Sequence, residues 1–171
     1  MVERLTEDER HNSMRGWFAH ELHGAMVDNE DIWVITADLG YGMFDKIQRD
    51  FPDRFVNTGA AEQAAMGIAV GLALEDKIPV IYSITPFLLY RAFETIRNYV
   101  NEESIPVKLI GGGRDRDYGH DGFSHWAEED FAVMRIFRNI DAHWPKDKEG
   151  MPELVETMII NGEPMYINLR R

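Results

Sequence analysis

Short apolar runs rich in β-forming residues alternate along the chain with segments whose apolar residues recur every three or four positions. The first helical segment is predicted to begin at Ser13, a favourable N-cap. Its buried face is predicted to comprise Met14, Trp17, Phe18, Leu22 and Met26. Further helices are predicted at residues 43–51, 61–74, 86–101, 128–136 and 152–160. The apolar runs predict strands at residues 32–39, 55–59, 78–84, 106–112, 140–144 and 165–169.

This alternation predicts an α/β fold. Strands separated by helix-length segments indicate right-handed crossovers and a mostly parallel sheet with helices on both faces, in three layers. Functional loops are then expected at the carboxyl ends of the strands. We expect one domain over residues 1–171, with residues 1–12 forming a flexible or partner-contacting arm.

Composition narrows the class of protein. The chain is 44 % apolar and 28 % charged, as in globular proteins, and it has no apolar run near the ~20 residues that span a bilayer. Its formal net charge of -12 argues against nucleic acid as a partner and favours solubility or, alternatively, a basic partner surface. The charged N-terminus is unlike a signal peptide, and the chain has no cysteines. A cytoplasmic location is therefore the expectation.

Glu62 is the first candidate functional residue. It stands at the start of a nearly uncharged Ala/Gly-rich helix, which is predicted to be buried on nearly all sides. Gly67 and Gly71 would let another backbone approach this helix closely. A carboxylate in that position either caps the helix or acts as a functional acid, and the local sequence leaves both interpretations open.

Three aromatic residues form a second candidate. Phe87, Tyr90 and Phe93 are three positions apart and fall on roughly one side of a helix. They suit stacking on an aromatic ligand, although the same spacing is typical of core packing.

The third candidate is the long polar loop that ends at His125. It contains glycines, acids and two histidines, and His120, Asp121 and His125 suit hydrogen bonding to a polyol or proton exchange. A metal site is the competing hypothesis, but the spacing matches no known ligand pattern. The run Gly-Gly-Gly-Arg-Asp also lacks the Lys-Ser/Thr ending of a phosphate-binding loop.

Five ordered motifs together resemble one family, the central pyrimidine-binding domain of transketolases and of the related deoxyxylulose-phosphate synthase. The resemblance runs from about Ser13 to the end of the chain. The motifs are TADLG (36–40), FPDRFVNTGAAEQ (51–63), GIAVGLALE (67–75), IPVIYSITPF (78–87) and HDGFSH (120–125).

The resemblance implies thiamine diphosphate as cofactor. Glu62 matches the glutamate that holds the ring nitrogen of the aminopyrimidine, and the aromatic set Phe87, Tyr90 and Phe93 matches the pocket around that ring. Asp38 matches a residue near the cofactor at the subunit interface.

The resemblance also implies substrate contacts. Asp121 and His125 match groups that contact the sugar hydroxyls near the reacting carbons, so that His125 joins Glu62 as an expected catalytic residue, and His120 neighbours them in the same motif. Arg170 stands where similar enzymes have a phosphate-binding arginine. Many transketolases carry a histidine soon after the strand that precedes this loop, whereas this chain has Gly111, Gly112 and Gly113.

The family binds the diphosphate through a metal ion, with a Gly-Asp-Gly motif that this chain lacks. The resemblance therefore implies a separate diphosphate-domain subunit that binds most of the Mg²⁺ or Ca²⁺, in an assembly of two copies of each chain. The family's third domain is also expected to be absent. The predicted activity is transfer of a two-carbon ketol unit from a ketose or its phosphate to an aldose-like acceptor. The alternatives are a subunit of a thiamine-dependent 2-oxo acid decarboxylase or synthase, and a non-catalytic interaction module.

Overall fold

One parallel sheet of six strands organises the chain. In the computed structural model, which describes residues 2–171, the strand order is β2-β1-β3-β4-β6-β5 and every neighbouring pair is parallel. The strands are β1 Ile32–Thr36, β2 Phe55–Asn57, β3 Ile78–Ile84, β4 Lys108–Gly112, β5 Asp141–His143 and β6 Met165–Leu169. The predicted α/β fold with a parallel sheet is confirmed.

Helices cover both faces of the sheet. They are α1 Met14–Asp28, α2 Asp45–Asp50, α3 Glu62–Leu74, α4 Thr85–Arg91, α5 Phe93–Thr95, α6 Asp130–Met134 and α7 Met151–Ile160, with a π-helical segment at Ile96–Glu102. Short 3-10 turns occur at Glu7–Glu9, Pro52–Arg54, Gly119–Asp121 and Phe123–His125. One apolar core lies between the sheet and α1, α2 and α7, and the other lies between the sheet and α3, α4 and the π-helical segment. The three predicted layers are thus present.

Alternation of side chains along each strand separates the two cores. Val34 faces α1 while its neighbour Ile35 faces α3, and the same division holds for Val80 and Ile81 in β3. Strands buried on both faces need continuous apolar runs, which is why β3 and β6 have hardly any polar residues.

The start of α1 and the end of β1 show how local polar groups set element boundaries. Ser13 caps α1 as predicted, because its Oγ accepts a hydrogen bond from the Gly16 N–H at 3.1 Å. The predicted strand over residues 32–39 is too long. It ends at Thr36, whose Oγ1 donates to the Leu39 carbonyl at 2.7 Å, and Asp38 adopts a positive φ of 57° that a strand cannot hold.

The helix predicted at residues 86–101 is broken into three pieces. Pro86 lies in the first turn of α4, as expected for a residue without an N–H. Ala92 then has φ -109° and ψ 17°, outside the helical range, and the chain resumes as α5 and the π-helical segment. The single-helix prediction was wrong because the periodicity of apolar residues does not detect a one-residue break.

Helix α3 exposes one of its faces. Glu62, Ala65, Met66, Ala69, Val70 and Ala73 are buried, but Gly67 and Gly71 are exposed with no atom within 4 Å of where a side chain would begin. Ile68 and Leu74 on the same face are 39 % and 65 % exposed. The prediction that this helix is buried on nearly all sides is therefore wrong for the chain by itself.

The described residues 2–171 contain no helix of the length and apolar character needed to cross a membrane.

Lys108 is a buried cation at the start of β4. It is 1 % exposed, and its Nζ donates to the carbonyl oxygens of Asn161 and Glu163 at 2.5 and 2.6 Å, which fixes the turn before β6. Burial lowers the pKa of Lys108 to about 8, and the nearby Glu163 charge opposes this shift.

Stability should therefore rise with pH across the titration of Lys108. The folded chain releases this proton near pH 8, whereas the unfolded chain holds it to about 10.5, so the unfolded state binds more protons in that window. We expect the thermal midpoint of the wild-type chain to rise between pH 8 and 10 relative to that of Lys108→Met. Parallel profiles for the two proteins would contradict the shifted pKa.

Candidate functional site

The carboxyl ends of the strands gather the candidate residues at one edge of the sheet. The parallel register aligns Thr36 of β1 with Tyr82 of β3, and Tyr82 with Ile110 of β4. The segments that follow β1, β2, β3, β4 and β6 consequently meet at the same edge. All the predicted site residues lie in these segments or in the helices that they begin.

Glu62 is a buried carboxylate held by a single arginine. It is the first residue of α3 and is 3 % exposed. Arg91, the last residue of α4, donates from Nη1 to Glu62 Oε1 at 2.7 Å. The Arg91 guanidinium also lies 3.8 Å from the centre of the Phe87 ring. A planar cation thus bridges the carboxylate and the aromatic face.

His125 lies next to this bridge. Its ring is 4.9 Å from that of Phe87, edge to face, and Ser124 Oγ is 3.0 Å from His125 Nδ1. The short turn Phe123–His125 places the imidazole there. The structure therefore brings together three of the predicted residues, Glu62, Phe87 and His125.

The other two aromatic residues lie further along the broken helix. Tyr90 is 44 % exposed, and partial burial followed by the Glu129 charge raises the pKa of its hydroxyl. The Phe93 ring is 5.3 Å from Phe137 and joins the core on the α3 side of the sheet. The roles of Tyr90 and Phe93 in cofactor binding stay predictions.

The predicted polar contacts are on the surface of this edge. His120 and Asp121 are exposed and pair with each other at 3.3 Å. Arg170 pairs with Asp115 at 3.5 Å. Asp38 accepts a hydrogen bond from the Tyr41 hydroxyl at 2.5 Å.

A cavity of about 380 Å³ opens at the same edge between the start of α1 and the ends of β1 and β3. Arg15 lies in its wall and donates from Nη1 to the Tyr118 hydroxyl at 3.0 Å. Tyr82 lines the cavity as well. Burial, reinforced by Tyr118 and opposed by Arg15, raises the pKa of the Tyr82 hydroxyl to about 12, so it stays a hydrogen-bonding phenol at neutral pH.

A buried polar network anchors the loop that carries His125. Asp130 Oδ2 accepts hydrogen bonds from Trp144 Nε1, Tyr166 Oη and Asn168 Nδ2 at 2.7, 2.9 and 2.7 Å. Arg114, at the start of the loop, donates from Nη2 to the Asn168 carbonyl at 2.6 Å. Such satisfied networks are rigid, and this one ties the loop to β6.

Two functional candidates escaped sequence reasoning, Arg91 and Arg15. Arg91 lies four residues after Phe87, the spacing at which side chains of one helix meet, so it had a local signal. Arg15 is a cation in the first turn of α1, where the helix dipole disfavours positive charge, and this departure was its signal. Their contacts with Glu62 and Tyr118 join residues 29 and 103 positions apart, which no local pattern reports.

The fold and site define a parallel α/β domain with a buried carboxylate at the carboxyl ends of its strands. The family model for the pyrimidine binding domain of transketolase matches residues 11–171, and the chain belongs to this family. The family resemblance of the five sequence motifs is thereby confirmed.

Individual relatives extend this result. The chain is 35 % identical to a protein named putative transketolase C-terminal section from Methanocaldococcus jannaschii, over 94 % of this chain and 51 % of the relative. It is 37 % identical to a subunit of apulose-4-phosphate transketolase from Actinobacillus succinogenes, over 71 % of this chain and 39 % of the relative. The chain thus spans about half or less of the length of these two relatives.

A solved structure agrees with the fold in detail. A protein described as a split gene transketolase, inactive beta4 tetramer, superposes with a TM-score of 0.82 at 32 % identity. The match covers 94 % of this chain and 52 % of that one.

The described residues 2–171 contain no group of three or more His, Cys, Asp or Glu side chains arranged to hold a metal ion.

Removing Arg91 should destabilise the chain through Glu62. Arg91→Met leaves a buried carboxylate without its donor, and because Arg91 is about half exposed we expect a loss of about 1–2 kcal/mol in the free energy of unfolding in urea. In a Glu62→Gln background the same change should cost less than about half as much, since no charge is left unpaired. Equal costs in both backgrounds would show that Arg91 acts without Glu62.

Proposed function

We propose that this chain is the pyrimidine-domain subunit of a split, thiamine-diphosphate-dependent transketolase. The observation that carries the proposal is the buried Glu62 carboxylate beside the Phe87 ring, at the carboxyl edge of a family-matched domain. A carboxylate and an aromatic face bridged by a flat nitrogen cation suit an aminopyrimidine, which is also flat and presents ring nitrogens to a hydrogen-bonding partner.

Thiamine diphosphate, when bound, supplies the nucleophilic carbon that takes up a two-carbon ketol unit from a ketose. Glu62 would hold the pyrimidine ring nitrogen and share a proton with it, which fixes the tautomer of the ring. The ring nitrogen would take the place of Arg91 at Oε1 of Glu62 or bind the other carboxylate oxygen. Phe87 would then stack on the ring.

The sugar would lie between the cofactor and the loop after β4. His125 touches Phe87 and presents ring nitrogens for hydrogen bonds to sugar hydroxyls, with Asp121 and His120 at the surface beyond it. Arg15, in the wall of the cavity, is a suitable partner for a sugar phosphate. The relative named for apulose-4-phosphate transketolase supports a phosphorylated sugar as the substrate class.

A separate subunit would supply the diphosphate and metal half of the site. The relatives named as a section and a subunit, together with the structure described as a split gene transketolase, support this arrangement. Our proposed assembly has two copies of each chain, with Mg²⁺ or Ca²⁺ bound mainly by the partner and Asp38 near their shared interface. A cytoplasmic location fits such a role in carbohydrate metabolism.

A second candidate is a synthase that uses a 2-oxo acid donor. It is favoured by the 34 % identity over 172 residues to 1-deoxy-D-xylulose-5-phosphate synthase from Corynebacterium glutamicum. A donor screen that includes pyruvate beside ketose phosphates separates the two activities. The intact Glu62 and Phe87 arrangement argues against a non-catalytic module.

The proposed function is tested by reconstitution. This chain alone should show no ketol transfer, and adding the diphosphate-domain subunit, thiamine diphosphate and Mg²⁺ should restore turnover. In the reconstituted enzyme, Glu62→Gln should lower turnover at least ~100-fold, because an amide cannot share a proton with the ring nitrogen. Glu75→Gln, an exposed glutamate just past the other end of α3, is the matched control. Full activity from the isolated chain, or near-normal turnover of Glu62→Gln at saturating cofactor, contradicts the proposal.

The exposed face of α3 should be a subunit contact. Gly67 has open space above it, so Gly67→Leu should leave the single chain as stable as before or more so, because leucine favours helices over glycine. Across a close helix contact the same change should weaken association at least about tenfold, as overpacking does. Sedimentation of the chain alone and with its partner measures this. Gly162→Leu, also in open space but outside α3, is the control, and equal association of both variants would exclude the α3 face.

A further inference from the structure

Two glycines at the end of β4 make room for two tyrosine rings. A Cβ atom on Gly112 would lie 2.3 Å from the Tyr82 hydroxyl oxygen, and one on Gly113 would lie 2.4 Å from the Tyr118 ring. Gly113 also has a positive φ of 88°. Glycine at positions 112 and 113 thus leaves room for Tyr82 and Tyr118, respectively, where larger side chains would clash.

Tyr118 is held in that space from several sides. Its hydroxyl accepts a hydrogen bond from Arg15 at 3.0 Å, and the Arg171 guanidinium lies 4.9 Å from the centre of its ring. The centre of the ring is also 6.2 Å from that of the His125 ring.

The loop segment that carries Tyr118 is fixed as well. Asp117 Oδ2 accepts hydrogen bonds from the backbone N–H groups of Arg114 and Arg171, both at 3.0 Å. Asp115 and Ala127 form an isolated antiparallel bridge across the base of the loop. Tyr118 therefore lines the cavity from a backbone segment that is held in place.

We propose that Tyr118 is a specificity-determining residue that limits the length of the ketose phosphate accepted by the enzyme. This inference rests on the proposed function, since it takes Arg15 and His125 as the groups that meet the two ends of the sugar. The Tyr118 hydroxyl bonds Arg15 and its ring centre lies 6.2 Å from that of His125, so a ligand that reaches from Arg15 to His125 would pass beside the Tyr118 ring. The ring sets the room available for carbons in the middle of the chain, and its hydroxyl orients Arg15 toward the phosphate.

The experiment compares donors of different length in the reconstituted two-subunit enzyme. Values of kcat/KM are measured for D-xylulose 5-phosphate, D-fructose 6-phosphate and D-sedoheptulose 7-phosphate with the wild-type chain, Tyr118→Phe and Tyr118→Val. Tyr118→Val removes the ring and should raise the ratio of the seven-carbon to the five-carbon donor at least about tenfold. Tyr118→Phe keeps the ring and should leave that ratio within about twofold, while losing about 2- to 10-fold in kcat/KM for every donor because Arg15 loses its acceptor.

Tyr99→Val, an exposed tyrosine of the π-helical segment outside the cavity, is the control and should not change the ratio. If Tyr118→Val does not assemble, Tyr118→Leu replaces it, with the same direction expected. A wild-type enzyme that turns over ketose phosphates while the ratio stays constant in the Val or Leu variant overturns the role of Tyr118 alone. A wild-type enzyme with no turnover of any ketose phosphate overturns the proposed function, and the inference with it.

Discussion

A buried carboxylate needs a partner, and the arrangement around Glu62 follows from this requirement. Unpaired burial of the charge would be costly, so Arg91 reaches it from the end of α4. In this position the Arg91 guanidinium lies over the Phe87 ring. The helix is interrupted at the next residue, Ala92. A ligand that took the place of Arg91 would have to supply both of its contacts, the hydrogen bond to Glu62 and the face against Phe87. These two contacts would suit a flat group with a hydrogen-bonding nitrogen.

Most of the fold could be predicted from the sequence because its strands and helix starts depend on residues that are close together in the chain. Apolar runs gave the six strands, and Ser13 marked the start of α1, since both signals depend on neighbouring residues. The end of β1 and the break at Ala92 were missed, because a side-chain bond to Leu39 and a single pair of dihedral angles decided them.

The sequence pointed to candidate site residues, and their contacts became visible only in the structure. Glu62, Phe87 and His125 were recognised from motifs, and the structure brings these three together. Arg91 and Arg15 act through contacts between segments distant in the chain. The predicted burial of α3 is incomplete in the chain alone, since an Ala/Gly-rich helix looks buried in sequence whether its neighbour belongs to the same chain or to another.

The loop after β4 shows how a polar, glycine-rich segment acquires a fixed shape. Its own residues offer little apolar surface, so its rigidity comes from Arg114, Asn168 and Asp130 beneath it. These groups are buried and bonded to one another, which makes the loop an extension of the sheet. The positions of His125 and Tyr118 thus depend on side chains that would never touch a substrate.

The short length of the two outer strands affects how readily separate chains can pair through their sheets. β2 and β5 are each only three residues long, so the sheet presents little free backbone for another strand to pair with. Growth of the sheet from chain to chain, the route to fibrous aggregates, is disfavoured at both ends. Contact between copies of this chain is left to side chains on helices, such as those on the exposed face of α3.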